Sequence, residues 1–113
     1  MATGRAIFQA HVDGLLPESL PFEFQWTFPA AIGQIQPNVT WISGDNTLVV
    51  PPTANVIILS PPTTNAMVLK LKGAAGDTGI TLQPDLPTIL AWTSGPVIIN
   101  ASGTVNGVTV VFL

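Results

Sequence analysis

Phe22, Phe24, Trp26 and Phe28 alternate with Glu23, Gln25 and Thr27, so four aromatic rings fall on one side of an extended segment and three polar side chains on the other. This strict period of two predicts a strand over 22–28. A second strand is expected over 5–12, joined to it by the loop Asp13-Gly14-Leu15-Leu16-Pro17-Glu18-Ser19-Leu20-Pro21. A two-stranded hairpin is marginal in water by itself. The hairpin must therefore pack on the rest of the chain or on another copy of it. Phe22, Phe24, Trp26 and Phe28 are accordingly either core or a strip that covers a neighbouring subunit, and they are the candidate interface.

From 29 to 38 the alternation lapses, and the segment reads as a connector between an N-terminal hairpin or arm, residues 1–35, and a compact body, residues 36–113. The body shows short apolar or β-branched runs at 39–43, 47–51, 56–60, 66–71, 79–83, 88–93, 96–100 and 107–113. Gly44-Asp45-Asn46, Pro51-Pro52, Pro61-Pro62, Gly95-Pro96 and Asn106-Gly107 punctuate them, with the positive φ of Gly and Asn and the fixed φ of Pro supplying turns. Strands at roughly 8–12-residue spacing with turn residues between them predict an all-β antiparallel sandwich or barrel. No segment predicts a helix. Val56 to Leu59 and Val97 to Ile99 are apolar at consecutive positions, as strands covered on both faces would be. One face would meet the opposite sheet and the other a partner chain or the hairpin.

Composition sharpens this picture. Only nine of 113 residues are charged, 8% against about 25% in a typical soluble domain. The surface is then largely neutral, and a neutral surface is poor at keeping proteins apart. Arg5, Lys70 and Lys72 are too few to neutralise a run of phosphates or hold an anionic bilayer, so neither nucleic acid nor a membrane is expected as partner. No apolar run approaches the roughly 18 residues of a membrane span, and the N-terminus has no secretory h-region; the chain reads as made in the cytoplasm. With no Cys there is no disulfide and no thiolate metal site, so one domain must be held by packing alone.

The candidate chemistry is thin. Asp77-Thr78-Gly79 matches the triplet of aspartic proteases, but Gly73-Ala74-Ala75-Gly76 precedes it where that family runs an apolar strand. A Gly-flanked turn in which Asp77 accepts backbone N–H bonds is the expectation. His11 is the only histidine, so no His cluster can ligate a metal. The carboxylates Asp13, Glu18, Glu23, Asp45, Asp77 and Asp85 lack the spacing of a calcium loop. No enzyme and no cofactor is expected. Trp41 and Trp92 offer the alternative of a carbohydrate-binding module or adhesin tip, with an exposed indole near Asp45 or Asp85 stacking on a sugar, although both sit inside predicted strands where core packing is favoured.

Trp41-Ile42-Ser43-Gly44-Asp45-Asn46-Thr47-Leu48-Val49-Val50-Pro51, Val56-Ile57-Ile58-Leu59-Ser60-Pro61-Pro62, Leu69-Lys70-Leu71-Lys72-Gly73 and Gly107-Val108-Thr109-Val110-Val111-Phe112-Leu113 give residues 36–113 a style of low charge and turn order. In this the chain resembles the small β-sandwich accessory proteins of tailed-bacteriophage virions, which decorate capsids or build tails and fibres. The resemblance implies an eight-stranded, jelly-roll-like body whose N-terminal segment reaches a neighbour or the shell, commonly as a homotrimer. It implies a structural role in a virion, with a major capsid or tail protein as second partner and no catalytic residues.

Overall fold

A computed structural model describes residues 2–11, 21–30 and 34–113. Ten strands are present among these residues: β1 (Ala2–His11), β2 (Pro21–Ala30), β3 (Gln34–Trp41), β4 (Gly44–Thr47), β5 (Val56–Ser60), β6 (Leu69–Lys72), β7 (Ile80–Thr81), β8 (Thr88–Ala91), β9 (Ile98–Ala101) and β10 (Val105–Phe112). No helix occurs among the described residues. β1 and β2 form an antiparallel hairpin. The other eight make two four-stranded sheets, β3-β10-β5-β8 and β4-β9-β6-β7, with every pairing antiparallel. Counted from β3, the body strands run first-eighth-third-sixth in one sheet and second-seventh-fourth-fifth in the other. That is the strand order of a jelly roll, a two-sheet sandwich of eight strands.

The core lies between the sheets and follows from the alternation of each strand. Ile57 and Leu59 of β5, Val108, Val110 and Phe112 of β10, Leu69 of β6 and Ile99 of β9 face inward and are buried, with Trp41 closing the layer at the end of β3. Val56–Leu59 and Val97–Ile99 behave as their consecutive apolar positions predict, since all but Ile58 are buried and Ile58 is half-buried.

Several segments differ from the sequence expectation: Gly44-Asp45-Asn46, expected as a turn, lies in β4, residues 29–30, expected as connector, end β2, and three further cases are instructive. Residues 34–38, read as connector, are the first half of β3 and pair with β10. They show no alternation because nearly every side chain there is exposed. Residues 47–51, read as a strand, contribute only Thr47; the strand is Gly44–Thr47, and Leu48 N–H adds one further bond to the Val97 carbonyl at 2.9 Å. Asn46 stabilises this early start, accepting from Ile42 N–H and donating to the Ile42, Gly44 and Ile99 carbonyls. Finally, Asn106-Gly107 makes no hairpin turn. Gly107 takes φ 75° inside β10, where the register with β3 shifts between Val105 and Val108. Its left-handed backbone serves a β-bulge.

Candidate functional site

The two outer faces of the sandwich differ in kind. On the β4-β9-β6-β7 sheet, register aligns Asp45, Asn100, Lys70 and Thr81 in one outward row, with Thr47, Ile98 and Lys72 beside it. Lys72 is buried although its strand position points it outward. The segment 73–79 explains this, because it folds back over the lysine stem. Lys72 Nζ donates to both Asp45 carboxylate oxygens at 3.0 Å and to the Ala75 carbonyl at 2.7 Å, which uses its three protons. Asp77 holds the segment closed, accepting from Gly73 N–H at 3.1 Å and Ala74 N–H at 2.8 Å. Asp77 thus closes the Gly-flanked turn 74–77 and accepts backbone N–H bonds as the sequence predicts, with Thr78 and Gly79 following the turn.

Asn100 Nδ2 also donates to Asp45 at 2.7 Å. This bond, then the bond and charge of Lys72, hold the Asp45 carboxyl below its ordinary value of 3.8. A depressed folded-state pKa stabilises the protein above the unfolded value and loses that contribution as pH falls through the folded one. The melting temperature is therefore expected to fall below about pH 4, and Asp45→Asn to make that fall shallower; equal acid slopes in thermal melts of the two proteins would refute the role of this carboxylate. Asp45→Ala should destabilise more than the double change Asp45→Ala with Lys72→Met, because the single change leaves a buried ammonium without its counter-charge.

The β3-β10-β5-β8 sheet is the opposite case. Ile35 pairs with Val111, Val111 with Ile58, and Ile58 with Ile89, so four β-branched aliphatic side chains cross all four strands in one outward row. Ile35 is 69% and Ile89 49% exposed, while Val111 and Ile58 between them are half-buried. The next row outward is Leu113, Val56 and Ala91, of which Val56 is buried, Leu113 half-buried and Ala91 exposed. Thr109 and Ser60 lie on the other side. None of these outward positions is charged, whereas the outer face of a sandwich ordinarily alternates to polar residues.

The hairpin has the same two-sidedness. Its register pairs Gly4 with Phe28, Ala6 with Trp26, Phe8 with Phe24 and Ala10 with Phe22. These positions, with Ala2 and Ala30, share one face of the ribbon and none is ionisable. Arg5, His11 and Glu23 all belong to the other face, where Arg5, Ile7, Gln25 and Thr27 are exposed. The candidate interface Phe22, Phe24, Trp26 and Phe28 is thus brought to one face by the register; their side chains, like that of His11, lie outside the described residues.

The two tryptophans weighed for sugar stacking differ in placement. Trp41 is 2% exposed and belongs to the core, which removes it from any stacking platform. Trp92 is half-buried against that core, and its indole N–H donates to the Gly95 carbonyl at 3.0 Å. A cleft of about 400 Å³ opens beside Trp41 between β3 and β4; of the polar side chains that line it, Asn46 and Thr40 hold strands together, and Gln36 and Thr47 complete the set. Among the described residues, no group of three or more His, Asp or Glu is placed to hold a metal ion, and no helix is long and apolar enough to cross a membrane. Comparison with family models, curated proteins and solved structures finds no match to this chain.

Proposed function

We propose that the chain is a non-enzymatic structural protein of a virion that decorates or stabilises a bacteriophage capsid or tail through protein–protein contacts. The observation that carries this reading is the uncharged outer face of the β3-β10-β5-β8 sheet, crossed by Ile35, Val111, Ile58 and Ile89. Such a face loses free energy by being covered, at roughly 25 cal/mol per Å² of apolar surface removed from water. The jelly roll itself recurs in viral capsid and lectin domains, so topology supports the reading only alongside the face. The low charge and turn order that liken the chain to phage accessory proteins point the same way. Its partners are further copies of itself, as a homotrimer, and a major capsid or tail protein; the chain is made in the host cytoplasm and resides in the virion.

Light scattering of the purified protein across a concentration series tests this. A fixed trimer or larger closed species is expected from micromolar concentration upward. A monomer at every concentration, with indole fluorescence quenched by millimolar oligosaccharide, would replace the reading with a sugar-binding one.

A further inference from the structure

We infer that the uncharged sheet face is covered by the apolar face of the N-terminal hairpin of a second copy, so that each copy lends an arm to its neighbour. The inference rests on the assembly reading above and names the contact that builds the assembly. Three observations carry it. First, Ile35 and Ile89 stay 69% and 49% exposed within one chain, so the chain's own arm leaves the row open.

Second, the arm is long and tethered close by. Ten residues per strand make a ribbon about 34 Å long. Only residues 31–33 separate the end of β2 from Gln34, and three residues span at most about 11 Å. The arm is therefore anchored at the β3 edge of the very sheet in question. Four strands at about 4.8 Å spacing are less than half its length across. An arm of this length, anchored at the edge, is long enough to extend beyond its own sheet.

Third, area and charge agree. The register places Phe8 opposite Phe24 on one face of the ribbon, with Phe22, Trp26 and Phe28 opposite Ala10, Ala6 and Gly4. Five aromatic side chains offer roughly 750–1,250 Å² between them, which meets the share of about 800 Å² per partner that a stable interface needs. Neither this face nor the outward rows of the sheet carries an ionisable residue, so no charge is stranded when they meet. Arm and sheet are different surfaces. The contact is heterologous and closes into a ring when the rotation between copies permits.

The test uses the full chain. Ile35→Glu with Ile89→Glu changes two exposed residues, so the single chain should keep its near-UV circular dichroism, while two carboxylates buried without partners should weaken assembly at least about 100-fold. Because the chain has no Cys, disulfide trapping reports the contact directly. Ala6→Cys on the arm and Ile89→Cys on the sheet are made in separate chains of distinguishable mass and mixed under mild oxidation. A mixed cross-linked dimer is expected. An unchanged oligomer in the double Glu variant overturns the arm contact, as does a cross-link that forms only within a chain carrying both cysteines, or only between two Ile89→Cys chains. In these cases the oligomer persists and the assembly reading stands. A wild-type chain that is monomeric throughout removes both.

Discussion

Trp41→Ala is expected to cost about 3–5 kcal/mol of folding free energy, the largest loss from any single side chain in the body. Trp41 ends β3, is 2% exposed, and packs in the layer between the two sheets with Val105 directly across from it. A domain of this size has only about 5–15 kcal/mol in total, so the variant should unfold at a much lower urea concentration, or fail to accumulate. The contrast that makes this informative is Trp41→Phe. The indole Nε1 is buried and has no hydrogen-bond acceptor among the described residues. An unpaired buried donor costs about 1–3 kcal/mol. Phe keeps most of the apolar contact and drops that donor, so its net loss should be no more than about 1 kcal/mol. Equal urea midpoints for the Ala and Phe variants would show that shape and burial at this position matter less than its placement implies.

Gly79→Ala should cost about 2–4 kcal/mol, a large effect for adding one methyl group. Gly79 sits at φ 85°, where a side chain is strained, and a Cβ there would lie 2.8 Å from Lys72 Cγ and 3.0 Å from the Leu71 carbonyl oxygen. The Leu71 oxygen is backbone and cannot swing aside, and moving the Lys72 stem disturbs its bonds to Asp45 and Ala75. Gly76→Ala is the control. Nothing lies within 4 Å of its Cβ position, and its φ is not in the left-handed region. That change should stay within about 0.5 kcal/mol of the parent. If both glycines tolerate Ala alike in denaturant titrations, the segment 73–79 does not clamp Lys72 as its geometry indicates.

What the sequence disclosed depended on where side chains alternate. The Phe22–Phe28 period lies within β2, and the apolar runs of β5 and of the segment ending in Ile99 marked strands covered on two sides. β3 escaped because an exposed strand has no inside and outside to alternate between. Asn106-Gly107 differs in another way: Gly107 alone takes the left-handed φ, Asn106 does not, and a bulge uses that conformation as well as a turn does. The row Ile35, Val111, Ile58, Ile89 was beyond reach. Its members are scattered over 76 residues and become neighbours only through three strand registers, one of them shifted twice by bulges. Lys72 likewise looked like one of three surface cations. Only the fold of 73–79 over it makes it a buried ion-pair partner.

The irregularity of β3 has a consequence for how such a sparsely charged protein avoids fibrillar polymerisation. A sandwich presents the unpaired amides of its outermost strands as templates for endless strand addition. Here β4, β7 and β8 offer four, two and four residues, too few to seed a ladder. The longest edge strand of the sandwich, β3, is broken by Pro37, which has no N–H to donate, and by Asn38 at φ 57°. At the edges of the sandwich, backbone adhesion is thereby hindered while side-chain adhesion through its faces is kept. Two sandwiches can then meet face to face without their edges seeding an endless ladder.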